Sequence, residues 1–276
     1  MSETPHILRT GARGIGSELQ RALADLTQSL RQLGLAWALA KHDIAARYRG
    51  SILGPFWITL SMGVVIAGTG TLYATLFKVD TDVLLPHLAC GLVIWTFLAS
   101  TLGEGCESFI NGAGILRQTA LPMFTFIWRT VFRNLLTLAH HAVIIVVVLL
   151  VVGAPPGNVL LSVLGLLGLV LLMAPLVMLV AIGSARFRDI PQVVMAVIQF
   201  MMFMTPIFWM TSQVGRSHAF LSYNPFYYYI DVVRSPLIGH ALDPRSWPVL
   251  TISLMISWGL AMFVFARTRR RIVHFL

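Results

Sequence analysis

Six apolar runs, at roughly 55–77, 84–102, 131–152, 159–183, 191–210 and 248–266, dominate this 276-residue chain, and none has a charged residue near its centre. About 20 apolar residues in helical form cross the hydrocarbon core of a bilayer. Inside that core the backbone must satisfy its own hydrogen bonds, so each run reads as a membrane-crossing helix. The expectation is an all-α membrane protein with about six transmembrane helices. Charged residues make up only 11% of the chain and hydrophobic ones 57%. A soluble domain carries roughly 25% charged residues, so this chain could not cover its own surface in water.

The charge distribution sets the expected orientation. The amino end, MSETPHILRTGARG, is polar and basic and lacks the apolar stretch of a cleaved signal peptide. With that end inside, sixteen Lys and Arg fall on inner segments and four (Lys78, Arg216, Arg234, Arg245) on outer ones. That asymmetry follows the positive-inside rule and places both termini in the cytoplasm. It also accounts for the net charge of +9 without invoking nucleic acid.

The chain divides at about residue 50. In segment 1–50, Ser17 and Gln20 form a capping box, and Leu19, Leu23, Leu26, Leu30 and Leu33 follow at helical spacing. Gly34 marks a break, after which Trp37, Ala40, Ile44 and Tyr48 continue an apolar side. One or two amphipathic helices in the cytoplasmic interface fit this pattern; a soluble helical arm is the alternative. Segment 51–276 holds the spans and two long connections. In the inner one, 103–130, a short helix around Ile115, Leu116 and Arg117 is expected between glycines and Pro122. In the outer one, 211–247, Asn224 caps and Pro225 opens a helix through Phe226 and Tyr227 to about Arg234, where Ser235-Pro236 stops it. That helix is too short to span and reads as re-entrant or interfacial. No internal repeat supports an inverted-repeat carrier.

Several chemistries are excluded. The only lysines, Lys41 and Lys78, follow Ala40 and Phe77, so no Gly-Lys-Ser/Thr phosphate loop exists. There is no His-Glu-x-x-His and no Gly-x-Ser-x-Gly. Cys90 and Cys106 would lie roughly 24 Å apart on one helix, too far for a disulfide or a zinc pair. His140 and His141 are the ionisable groups at depth, expected to bond to neighbouring helices. Glu104 and Glu107 suit either acid–base chemistry or, more simply, pairing with Arg129 or Arg133. Phe56, Trp57, Tyr73, Phe200, Phe203, Phe208 and Trp209 are interface anchors or a stacking surface for sugar rings. The basic pair around Tyr48, Arg47 and Arg49, serves orientation or grips a phosphate through guanidinium forks.

Four motifs in register carry a family resemblance. Arg47-Tyr48-Arg49-Gly50-Ser51-Ile52-Leu53-Gly54-Pro55-Phe56-Trp57 resembles the entry to the first span of ABC-2-type permeases that export lipid-linked polysaccharides. Ala185-Arg186-Phe187-Arg188-Asp189-Ile190-Pro191, Thr205-Pro206-Ile207 and Asn224-Pro225-Phe226 are similar to the same family. These are the Wzm-like O-antigen and capsule exporters, with teichoic acid exporters as cousins. The resemblance implies a homodimeric channel powered by two ABC ATPase subunits, which would bind the ATP and Mg. This chain itself would hold no cofactor. It further implies that residues 111–122 carry a coupling helix and 211–247 an outer gate including Asn224, Pro225, Phe226 and Tyr227. A membrane-embedded glycosyl or acyl transferase, an ABC-2 exporter of a lipid or drug, and a scaffold subunit are the competing readings.

Overall fold

The computed structural model describes residues 15–211 and 219–276, and every regular element among them is a helix. Five are long and apolar enough to cross a membrane: α3 (Phe56–Phe77), α4 (Thr81–Cys106), α6 (Phe124–Val152), α7 (Val159–Arg186) and α11 (Ser246–Phe275). The shorter helices are α1 (Ile15–Arg31), α2 (Leu33–Arg47), α5 (Ser108–Gln118), α8 (Ile190–Met204), α9 (Ala219–Ser222) and α10 (Pro225–Leu237). The chain is an all-α, multi-pass membrane protein. Residues 1–14 and 212–218 lie outside the described residues, with Arg9, Arg13, Arg216 and part of the expected gate segment.

The fifth run forms a shorter helix than the other five. α8 has 15 residues and stops at Met204, a length of about 22 Å against a core of about 30 Å. Thr205 is extended, with φ −105° and ψ 135°, because the Pro206 ring crowds the helical region for the residue before it. Residues 205–210 continue as a non-helical strap.

α4 is the buried centre of the bundle, packed by α3, α6, α7, α8 and α10. Small residues let neighbours approach where burial of apolar area drives little. At Gly165 of α7, an added Cβ would stand 2.5 Å from the Val232 carbonyl oxygen of α10. Cys90 and Cys106 are both buried and free, on α4 and 16 residues apart.

The amino-terminal helices attach by their small and polar residues. Ala22, Asp25 and Ser29 of α1 are buried, while Leu19, Leu23 and Leu30 are exposed. Leu19, Leu23 and Leu30 therefore face away from the bundle, as a helix seated in a lipid interface requires, while Leu26 and Leu33 are half-buried against the core. Asp25 caps α6 from a different helix: its carboxylate accepts the N–H groups of Met123 and Phe124, each at 3.1 Å. Arg269 of α11 donates to the same carboxylate at 3.3 Å. Burial pushes the Asp25 carboxyl up, partly offset by those two N–H donors and by Arg269.

Three local expectations shift. Ser17 lies inside α1, so the Ser17/Gln20 box does not cap its start. The α1–α2 break falls at Gln32 and leaves Gly34 inside α2. α5 begins at Ser108 and runs through Gly112 and Gly114 instead of starting after them. Gly112 is there for packing: a Cβ would lie 2.6 Å from the Phe126 ring of α6.

Candidate functional site: a groove along the fourth helix

The side of α4 left uncovered carries Thr96, Ala99, Ser100 and Gly103, spaced three and four apart and so on one face. α3 and α8 stand on either side of it. A cavity of about 480 Å³ lies over Trp95, Thr96, Ala99 and Ser100 and is walled by Met62 of α3, His141 of α6 and Met202 of α8. A second, of about 410 Å³, shares Ala99 and Ser100 and continues past Gly103 to Glu104, Glu107, Pro191 and Met195. Together they form one groove with a floor of small residues, in which Thr96 and Ser100 supply hydroxyls among mostly apolar walls. Such a floor leaves room for a ligand and bonds it weakly.

At the end of the bundle that carries α1 and α2, the groove opens beside a charge cluster. Arg129 clamps Asp43 through Nε at 2.8 Å and Nη2 at 2.6 Å. Arg133 donates to Asp43 at 3.1 Å and to Glu104 at 2.8 Å. Asn134 reaches the same Glu104 oxygen at 2.8 Å, and Arg47 donates to its other oxygen at 3.0 Å. Glu107 accepts from Asn111 instead. The expected pairing of Glu104 with Arg133 is therefore present, whereas Arg129 serves Asp43.

Burial pushes the Asp43 carboxyl up, but the hydrogen bond and charge of Arg129, reinforced by Arg133, outweigh it and hold the group below 3.8. A carboxylate lowered on folding stabilises the fold above its unfolded pKa and loses that contribution as pH falls through the folded one. The α2–α6 attachment is thus expected to weaken on acidification below about pH 4. Asp43→Asn should remove about 2–3 kcal/mol, read as a lower thermal midpoint of the purified protein. An unchanged midpoint would mean that the cluster does not hold α2.

At the opposite end the groove is roofed by aromatic contacts. Phe208 of the strap packs on Tyr73 of α3 with ring centroids 5.3 Å apart, and Phe226 of α10 on Trp95 at 5.4 Å. Asn224 caps α10 as expected, its Oδ1 accepting the Phe226 N–H at 3.0 Å. Its Nδ2 donates to Met204 O at 3.1 Å and Thr205 Oγ1 at 2.9 Å. α10 extends past Arg234 to Leu237, with Pro236 in its last turn. Arg234 itself is buried, with 4% exposure, and donates to Pro206 O at 2.7 Å.

The remaining candidates are distributed as follows. Arg47 is tied to Glu104, Tyr48 terminates α2, and Arg49 is exposed. Tyr73 and Phe208 come together, and Phe56, Trp57, Phe200 and Phe203 stand exposed; none of the six lines either cavity of the groove. Trp209 packs near Phe220 at 6.2 Å. Tyr227 packs edge-on to Tyr228 and borders an open dish with Asp243 and Arg245. Ile115 and Arg117 are exposed on the last turn of α5, but Leu116 is buried and is not available to a partner. The His140 ring bonds to Leu136 O of its own helix at 2.8 Å, and His141 faces the groove. Sequence reasoning counted Trp95 of the second span among the aromatic anchors or stacking rings, but missed the roles of Asp43 and His87 and the burial of Arg234. A charged residue in the first turns of a long helix was the available signal only for Arg129 and Arg133.

One of the four motifs singled out above lines the groove and the others lie near its two ends. Arg47 meets Glu104 at its mouth, Pro191 lines it, and the Thr205 and Asn224 motifs join each other at its roof. Residues 34–238 match the family of ABC-2 type transporters. The chain belongs to that family. It is similar to the O-antigen export system permease protein RfbA of Myxococcus xanthus, 24% identical over 238 residues that cover 82% of this chain and 89% of that one. An O-antigen export system permease protein RfbA of Klebsiella pneumoniae is 23% identical over 245 residues, 86% of this chain and 93% of the relative. An ABC-2 permease is the membrane subunit of a transporter and works with an ABC ATPase, consistent with a chain that has no phosphate-loop lysine.

Proposed function

We propose that two copies of this chain form a path for a lipid-linked polysaccharide across the bacterial inner membrane. The cargo would be an O-antigen, a capsule or a similar cell-surface glycan. Two ABC ATPase subunits, which bind the ATP and Mg, would drive it. The carrying observation is the one-sided groove on α4, floored by small residues with the hydroxyls of Thr96 and Ser100 and uncovered in the single chain. A hydrated polymer needs a wide protein-lined path, and two such grooves facing each other across a dimer axis supply one. The basic end, with Arg47, Arg129 and Arg133, is the cytoplasmic one under the positive-inside rule. The export role of the relatives supports the choice of cargo.

The diphosphate of a lipid-linked glycan cannot enter hydrocarbon uncompensated, and Arg49, exposed beside the mouth, with Arg47 would receive it. The experiment reconstitutes the chain with its ATPase and a lipid-linked glycan. Wild type should export the glycan only with ATP, and the chain alone should not turn ATP over. Arg47→Lys with Arg49→Lys keeps the charge and removes the planar fork. It should insert and assemble normally while exporting about tenfold less, the loss of one strong charge-assisted bond. Normal export by that variant removes the pair from the site, and ATP turnover by the chain alone overturns the division of labour.

A further inference from the structure

α8 ends at Thr205 while the chain is still inside the bundle, and the strap that follows has no helix to satisfy its carbonyls. In apolar surroundings each open carbonyl is costly. Here side chains supply the donors. Thr205 Oγ1 reaches back to Met201 O at 2.7 Å. Asn224 Nδ2 donates to Met204 O at 3.1 Å, and Arg234 Nη1 to Pro206 O at 2.7 Å. His87 of α4 places Nε2 3.2 Å from both Pro206 O and Trp209 O. Arg234 Nη1 lies 3.2 Å from the same Nε2, so His87 donates to a strap carbonyl in one tautomer and accepts from Arg234 in the other.

The strap also bears Phe208, whose ring on Tyr73 joins α8's continuation to α3 over the end of the groove. A segment held through side-chain donors differs from one held in a helix. It can be let go by a few rotamer changes, with no turn of helix unwound.

We propose that the strap 205–210 is the far-end gate of the groove. Phe208 on Tyr73 is the closing contact, and Asn224, Arg234 and His87 are the latch that positions it. This rests on the reading of the groove as a transport path, but concerns what keeps that path shut between cycles. It moves the gate from the α10 start to the strap, and gives Asn224 a second role beside capping.

The two roles of Asn224 can be separated. Asn224→Ser keeps a side-chain oxygen that caps α10 but has no amide to reach Met204 O. Arg234→Gln removes the guanidinium from Pro206 O. Phe208→Ala removes the closing ring itself. Ser246→Ala is the control: it breaks a buried hydrogen bond from α11 to Asp231 of α10 and does not touch the strap.

The complex of each variant with its ATPase is reconstituted without nucleotide into vesicles loaded with a small neutral sugar, and passive efflux is followed. Asn224→Ser, Arg234→Gln and Phe208→Ala are expected to leak about tenfold faster than wild type, the shift that one lost hydrogen bond or contact imposes on a closed–open equilibrium. Ser246→Ala should stay sealed even where its thermal midpoint falls. If Phe208→Ala leaks while folded Asn224→Ser and Arg234→Gln stay sealed, the latch is wrong although the path stands. Should Arg234→Gln fail to fold, Asn224→Ser alone decides the latch. If Ser246→Ala leaks as fast as the latch variants, the effect is general loosening and the latch is overturned. If none leaks, the strap is not the gate, whether or not ATP-driven export supports the transport path.

Discussion

Gly165→Ala is expected to destabilise the permease by about 3 kcal/mol or more, enough to deplete it from membranes, while Gly168→Ala three residues along should cost under about 1 kcal/mol. The added carbon is the same in both. At Gly165 it would stand 2.5 Å from Val232 O and 3.0 Å from Val232 C, and a backbone cannot rotate out of the way. At Gly168 the nearest atom is Cδ2 of Leu250, at 2.8 Å, the far end of a side chain with other rotamers. α7 and α10 are pinned to each other at a second place, where Gly157 N–H donates to Leu237 O at 2.8 Å. Pushing the helices apart at Gly165 therefore strains that joint as well. The check is the thermal midpoint of both variants in detergent, together with their level in the membrane. Equal midpoints would show that the α7–α10 crossing is not set by backbone approach.

Much of this architecture is legible in the sequence, because a bilayer imposes a length and a polarity that few patterns meet. Four of the spans expected at 55–77, 84–102, 131–152 and 159–183 coincide with α3, α4, α6 and α7 to within a few residues at most ends. The exception at an end, α6 starting at Phe124, arises because Arg129 and Arg133 are neutralised by Asp43 and Glu104 and so need not lie outside the helix. Within the run at 191–210 the helix stops at Met204, for a different reason. Hydrophobicity continues through Thr205-Pro206-Ile207, but the backbone constraint before proline does not register on a hydropathy count. The leucines of α1 follow helical periodicity faithfully, yet periodicity does not say whether the apolar side meets protein or lipid.

The groove was much harder to foresee. Its mouth joins Asp43 to Arg129 across 86 positions and Arg47 to Glu104 across 57. Its roof joins His87 to Pro206 across 119. None of these pairs shares a helix, so no local spacing announces them. Arg234 counts as an outer loop cation by sequence and is a buried donor in the fold. The Thr205 and Asn224 motifs stood out separately; that one bonds the other follows only from the chain's return into the bundle.

Docking of the ATPase is expected to centre on Ile115, and Ile115→Asp should cut export by tenfold or more while the permease itself stays folded. α5 is held to the bundle by Phe109 and Leu116, which are buried, and by the Gly112–Phe126 approach. That anchoring would let the helix transmit a push from a partner without yielding. Ile110 and Ile115 are its exposed large apolar residues, 44% and 36% open, and Arg117 beside them is exposed too. An apolar side chain at the basic end, uncovered in the single chain, suits a pocket on a partner. Interface anchors of this kind carry about 2 kcal/mol or more of association, so a carboxylate there should weaken ATPase binding by roughly 30-fold. Substituting Leu116 as well would spoil the experiment, because a buried charge at that position unfolds α5 whether or not a partner binds it. The single Ile115→Asp variant should keep its thermal midpoint, insert normally, and lose ATPase in pull-down together with ATP-driven export. A variant that binds its ATPase and exports as wild type would move the docking site off α5.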